Sequence, residues 1–442
     1  MIKKILQSVF LKEAVLYGIT GVISKFAPIV IIPIYIHFIG LEGFGVLDLY
    51  VTIGLAIFIV CETQAVSGVM RSYYESQINN TLEYLIGSAI KIYLFTYFVL
   101  LGLFFLASLS AFESKLFAYE YLFPIVAVVF PRQVFALCTI ILRMEHRAKE
   151  YICLSLFNVI ITALLGMFFV YWVDATALAI LYGISFSQIV TGIIAYWRIN
   201  KIIKIKISKK YVKAIVFYGV PIAISSLAGW LLASSGRLVL ADYSTQFELG
   251  VYSLSLKVAM IFMVLLQAFR TAWDPYCMKK FGEKNSAATF SKSLDVYWLF
   301  ASIVIVFIYL SSPFLIDLLG AEESALNQDL ILLILLGYLW QGSINIIAVG
   351  NAWVRKTYIN SLGTIVGGGL SLLLSVVLVH KLGVLAGGIG YLVGLIASFT
   401  IIYNRAQKNV HIHYNTKWIF LVLLLSISFI IYVLRINNLL YV

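Results

Sequence analysis

Residues 11–50 read LKEAVLYGITGVISKFAPIVIIPIYIHFIGLEGFGVLDLY. From Ala14 to Ile36 the run is apolar apart from one cation, Lys25, and it gives way to Gly40, Gly43 and Gly45 as a second apolar run opens at Phe44. A bilayer core about 30 Å thick takes about 20 apolar residues at 1.5 Å rise per residue. The stretch therefore predicts two consecutive membrane helices, 14–36 and 44–66. Eleven further runs follow, at 84–109, 120–142, 150–172, 176–197, 213–236, 250–270, 293–316, 327–350, 359–380, 384–403 and 418–434. The last is short and could span or lie at the interface. These runs are longer and more evenly apolar than the alternating strands of a membrane barrel. The expected fold is an all-α polytopic membrane protein with twelve transmembrane helices and a short thirteenth segment. Composition agrees: 62% of the 442 residues are hydrophobic and 12% charged, against about a quarter charged in a soluble domain.

The opening stretch has a counterpart. LKEAVLYG at 11–18 matches VKAIVFYG at 212–219, GFGV at 43–46 matches ELGVY at 248–252, and VMRSYY at 69–74 matches FRTAWDPY at 269–276. Each half holds six spans, an even number, so the halves share one orientation as a parallel repeat about an axis along the membrane normal. The expected organisation is an N-lobe at 1–200, a basic linker at 201–213, a C-lobe at 214–405 and a hydrophobic extension at 406–442.

The net charge of +12 reads as topology. With the N-terminus cytoplasmic, 24 of the 32 Lys and Arg fall on the inner side and three (Lys115, Lys381, Arg435) on the outer, a strong positive-inside asymmetry. No nucleic-acid partner is implied. There is no Walker A sequence, no paired-cysteine or clustered-histidine pattern for a metal, no cleavable leader and no outer loop large enough for a catalytic site. The chain reads as a secondary transporter rather than an enzyme, with its substrate expected between two lobes that rock.

Five cations lie inside the spans: Lys25, Lys91, Arg132, Arg237 and Lys257. A charge at mid-bilayer costs about 3 kcal/mol on insertion scales, so a set of one sign points to an anionic cargo. Gly18, Gly21, Lys25 and Pro28 recur at helical spacing, as do Ser226, Gly229, Ala233 and Arg237, and Ser253 lies one turn from Lys257. Lys25, Arg237 and Lys257 are the candidate anion ligands. Asp48 and Glu62, on one stripe of the second span, are candidates for coupling to H+ or Na+; no other cofactor is expected. Arg132, Gln341 and Asn345 are secondary cavity candidates. Duller readings stand beside each. Lys25 could pair with Glu62, and Arg237 and Lys91 could snorkel to headgroups. Arg132 could satisfy a carbonyl freed by Pro131, and Gln341 and Asn345 could be helix-packing glue.

The stretch 11–50, together with RLVLADY at 237–243 and LGVYSLSLKVA at 249–259, resembles the polysaccharide-transporter branch of the multidrug/oligosaccharidyl-lipid/polysaccharide flippase superfamily, and Wzx-type O-antigen flippases within it. Family members usually carry an Asp just before the arginine, where this chain has Gly236. The resemblance implies a MATE-like two-lobe fold. It implies transfer of an undecaprenyl-pyrophosphate-linked oligosaccharide from the inner to the outer leaflet of the bacterial cytoplasmic (inner) membrane, driven by an ion gradient. A polysaccharide polymerase and a chain-length regulator are the implied protein partners. A lipid II or teichoic-acid-precursor flippase and a MATE-type drug/cation antiporter are the alternatives. The excess of buried bases over buried acids favours an anionic cargo.

Overall fold

The computed structural model describes the backbone of residues 2–109, 118–200, 206–281, 283 and 286–437; the side chains of 2–19, 22, 24–26, 200, 272 and 275 lie outside the described residues. The regular elements are helices throughout: α1 (Ile2–Glu62), α2 (Ala65–Ile78), α3 (Leu82–Leu109), α4 (Tyr119–Ala127), α5 (Val129–Met144), α6 (Ala148–Trp172), α7 (Ala177–Asn200), α8 (Lys209–Tyr243), α9 (Gln246–Lys280), α10 (Ser286–Leu318), α11 (Gln328–Ile347), α12 (Val349–Trp353), α13 (Tyr358–Leu382), α14 (Val384–Asn409) and α15 (Thr416–Ile436). Among the described residues, twelve segments are long and apolar enough to cross a membrane, Thr416–Ile436 included. The all-α polytopic fold expected from hydropathy is the fold observed.

Three breaks shape the first half. A straight helix of 61 residues would run about 90 Å, roughly three times the hydrocarbon thickness. Gly40, at φ 68° and ψ 175°, interrupts α1 within the expected turn, in a backbone region that glycine enters without a Cβ clash. The second break comes at Thr63 and Gln64, both left-handed at φ 50° and 51°, so α1 ends four residues before the expected boundary at 66. The Glu62 carboxylate spans this break, accepting from Val66 N at 2.8 Å and filling one of the orphan donors at the start of α2. The third break, at Val128, separates α4 from α5 three residues before Pro131. Proline has no N–H to give the carbonyl four residues earlier, which here belongs to Ala127. That carbonyl accepts instead from the Tyr97 hydroxyl, at 3.2 Å.

The chain forms two compact units, Met1–Leu227 and Ala228–Val442. The N-terminal unit has a core of Tyr73, Leu85, Ile86, Tyr93, Leu137, Ile141 and Ile215. Gly68 lets α2 lie against the backbone of Ile215, where an added Cβ would stand 2.9 Å from its Cα. Ser208 N donates to Ser88 Oγ at 3.1 Å, tying the entry of α8 to α3. In the C-terminal unit α13 and α14 meet through small residues. A Cβ on Gly367 would strike Ser398 Oγ and the Gly394 carbonyl, and Ser398 Oγ donates to the Gly363 carbonyl at 3.0 Å. Close backbone approach through glycine is a general device of membrane helix packing. Trp298 Nε1 donates to Ser343 Oγ at 2.7 Å, and Trp340 Nε1 donates to Ser426 Oγ at 3.1 Å. The second bond anchors α15 to α11.

Candidate functional site

Five helices of the N-terminal unit, α1, α4, α5, α6 and α7, border a common space. Tyr50, Gly54 and Phe58 repeat every four residues on α1, and Val128, Arg132, Phe135, Ala136 and Thr139 form one face at the α4–α5 break and along α5. Asn158 comes from α6, and Leu181, Ser185 and Gln188 line one stripe of α7. Together they bound a cavity of about 450 Å³, within the range of small-molecule sites. Tyr50 stacks on Tyr121, with ring centroids 4.6 Å apart and planes inclined by 12°. Ser185 Oγ donates to the Pro124 carbonyl at 2.9 Å, which fixes α7 against α4.

Arg132 is the one charged side chain among the described residues lining this cavity. Its guanidinium carbon lies 4.5 Å from the centroid of the Phe58 ring. Such a contact contributes about 0.5–2 kcal/mol and leaves the N–H donors of the guanidinium unspent. Among the described residues no hydrogen bond or ion pair reaches the guanidinium. The carbonyl freed by Pro131 is already taken by Tyr97, so the backbone explanation for this arginine falls away. The five donors of the planar fork suit a phosphate or carboxylate bidentately.

The remaining candidates are distributed. Lys25 falls in α1, and its side chain lies outside the described residues. Asp48 and Glu62 are buried in the N-terminal unit, at 5% and 3% exposure, and neither lines the cavity. Glu62 caps α2 and accepts from the Tyr93 hydroxyl at 3.4 Å. Lys91 is exposed on α3. In the C-terminal unit Arg237 (α8) and Lys257 (α9) are half-buried. The preceding Gly236 packs on Tyr252 and Gly387 with no room for a Cβ. Gln341 lines a pocket of about 80 Å³ with Gly229, Ala233, Thr364, Tyr391 and Ser398. Asn345, one turn on, buries its Nδ2 without a hydrogen-bond partner among the described residues.

Outside the spans the N-terminal unit carries an ion network that accounts for part of its basic loop. Arg147 bridges Glu145 at 2.9 Å and Glu150 at 2.7 Å, and Arg198 reaches Glu150 at 3.0 Å. Tyr73 donates to Glu145 Oε1 at 3.3 Å; burial, then the adjacent carboxylate, push its hydroxyl well above the ordinary tyrosine range. These residues are structural, since each charge has its partner within reach.

Sequence reasoning missed Tyr50, Phe58, Asn158 and Gln188. Asn158 and Thr162 sit one turn apart in the fifth span, as do Gln188 and Thr191 in the sixth, and paired polar residues on one face of an apolar helix were the available signal.

The model of the family described as "Polysaccharide biosynthesis protein" matches residues 10–281. A protein of the Lsg locus of Haemophilus influenzae is 21% identical over 285 residues, covering 62% of this chain and 67% of that protein. Among solved structures, a multidrug resistance MATE family transporter of the MOP superfamily, in its inward-facing conformation, superposes with a TM-score of 0.72 at 15% identity, covering 87% of this chain and 94% of the other. A MOP superfamily transporter from Pyrococcus furiosus, described as having a binding pocket of reverse polarity, gives a TM-score of 0.62 at 17% identity, covering 90% and 96%. At these identities the structural likeness is one of fold.

Proposed function

This chain belongs to the polysaccharide biosynthesis protein family, and we propose that it is a flippase for an undecaprenyl-pyrophosphate-linked oligosaccharide, carrying it from the inner to the outer leaflet of a bacterial cytoplasmic membrane. Family and fold are those of transporters. The observation that carries the reading is the Arg132 guanidinium, exposed to a cavity without an acidic partner among the described residues. A bare pyrophosphate does not cross hydrocarbon. It needs a hydrated space with a forked cation to take its charge. Lys25, Arg237 and Lys257 are further ligands for that charge in this proposal, and Asp48 and Glu62 couple transport to an ion gradient.

The fold also suits a MATE-type exporter of organic cations. Such a cargo requires a carboxylate where this cavity has an arginine.

The deciding experiment is deletion followed by lipid extraction. Undecaprenyl-linked glycan accumulating on the cytoplasmic leaflet, cleared by wild-type protein and not by Arg132→Ala, is the expected result. Export of an organic cation by wild-type protein, with no lipid-linked glycan trapped in the deletion, would replace this reading with the antiporter.

A further inference from the structure

Arg132 accounts for an anion and leaves two lining residues unassigned, Asn158 on α6 and Gln188 on α7. Gln188 Nε2 donates to Asn158 Oδ1 at 3.2 Å, and Thr191 Oγ1 donates to the same oxygen at 3.2 Å. One turn along, Thr162 Oγ1 and Ser187 Oγ share a hydrogen bond of 2.7 Å. These bonds hold α6 and α7 in fixed register and aim the two amides. Two primary amides joined by one hydrogen bond leave one NH2 and one carbonyl open, whichever way round the amides are turned. Here Asn158 Nδ2 and Gln188 Oε1 make no hydrogen bond among the described residues, and both side chains border the cavity.

One fully buried amide elsewhere in the chain is satisfied at both ends. Asn409 Nδ2 donates to Asn351 Oδ1 at 2.9 Å, and Asn351 Nδ2 donates on to Asn360 Oδ1 at 2.8 Å. That chain uses both ends of the fully buried Asn351. The Asn158–Gln188 pair stops halfway, and both residues line the cavity.

We infer that the Asn158–Gln188 pair is the sugar-reading element of the cavity, resting on the flippase reading above. Neighbouring hydroxyls of a pyranose, or a hydroxyl beside an acetamido group, offer an acceptor and a donor side by side, which this pair complements. The open Gln188 carbonyl repels an anion, so the pyrophosphate is left to Arg132 and the neutral glycan to the amides. A site built to hydrogen-bond a hydroxyl rejects a cargo that lacks it, because its own polar groups are then stranded.

The test uses the full-length protein in lipid nanodiscs and two probes: bare undecaprenyl pyrophosphate, and the polyprenyl-linked glycan fraction extracted from cells lacking the protein. Gln188→Met keeps the length of the side chain and removes both polar atoms; Asn158→Ala is the second variant. Each is expected to weaken the glycan-bearing lipid about tenfold and to leave bare undecaprenyl pyrophosphate bound as in wild type, which also reports that the variant is folded. Arg132→Ala is expected to weaken both probes. If Gln188→Met binds the glycan-bearing lipid as tightly as wild type, or loses both probes alike, the amide assignment is overturned and the flippase reading stands. If wild-type protein binds neither probe, the flippase reading falls and takes this assignment with it.

Discussion

Tyr97 on α3 donates its hydroxyl to the carbonyl of Ala127, the carbonyl that Pro131 cannot serve. The bond releases Arg132 from backbone duty and leaves it for the cavity. Tyr97→Phe should therefore leave a half-buried acceptor without its partner, at a cost of about 1 kcal/mol. Thermal unfolding in detergent should show the loss of stability. Transport should also fall in the proposed function, because the freed carbonyl then competes with the cargo for the Arg132 guanidinium five residues on. Unchanged unfolding would separate the break at Val128 from its tyrosine.

Glu62 caps α2, and the proposed function adds ion coupling; substitutions can part the two. Glutamine keeps an oxygen to accept from Val66 N and Tyr93, whereas alanine removes it. Glu62→Gln should fold like wild type and lose ion-coupled transport. Glu62→Ala should in addition lose stability by about 0.5–2 kcal/mol, the scale of a missing cap. Full transport by the glutamine variant in proteoliposomes would leave Glu62 as a cap only.

Glycines that look alike in the α13 sequence should respond oppositely. Gly367→Ala drives a methyl into Ser398 Oγ and the Gly394 backbone and should cost about 1–3 kcal/mol or more through overpacking. A Cβ at Gly369 meets nothing within 4 Å, so Gly369→Ala should stabilise the helix by about 0.5–1 kcal/mol. Size-exclusion profiles after a heat challenge distinguish the two.

The double variant Lys25→Ala with Arg237→Ala should abolish surface-polysaccharide assembly while the protein still reaches the membrane. Immunoblotting of membrane fractions beside a stain for the polysaccharide checks both halves. Normal polysaccharide in that strain would remove both residues from the mechanism.

Hydropathy made the membrane class legible, because burial in lipid demands long apolar runs whatever the tertiary arrangement. Gly40 fell inside an expected turn for the same reason, since glycine announces its backbone freedom. The break at Thr63–Gln64 gave no such notice. Neither residue is a turn former in that position, and the left-handed pair persists because the Glu62 carboxylate and the packed α2 hold it there. At Arg132 the neighbouring proline suggested an orphan carbonyl, which was correct, and suggested the arginine as its partner, which was not. Tyr97 lies thirty residues away, and spacing within one helix does not reveal a partner on another. Asn158 and Gln188 were passed over for a related reason: a polar pair one turn apart in an apolar run looks like packing glue until both ends of each amide are traced.

In the proposed flippase, the contact between Arg132 and Phe58 bears on how fast the cavity empties. An arginine resting against a carboxylate would have to break an ion pair to greet its cargo and remake it to let go, and both steps would be slow. Against the face of a phenyl ring the guanidinium has a soft resting place that an incoming anion displaces at little cost and that is there again on departure. Passage through a membrane asks for grip firm enough to admit and loose enough to discharge. The aromatic ring sets that balance, so Phe58→Asp should trap the arginine in a closed pair and stall the cycle before the cargo is taken up.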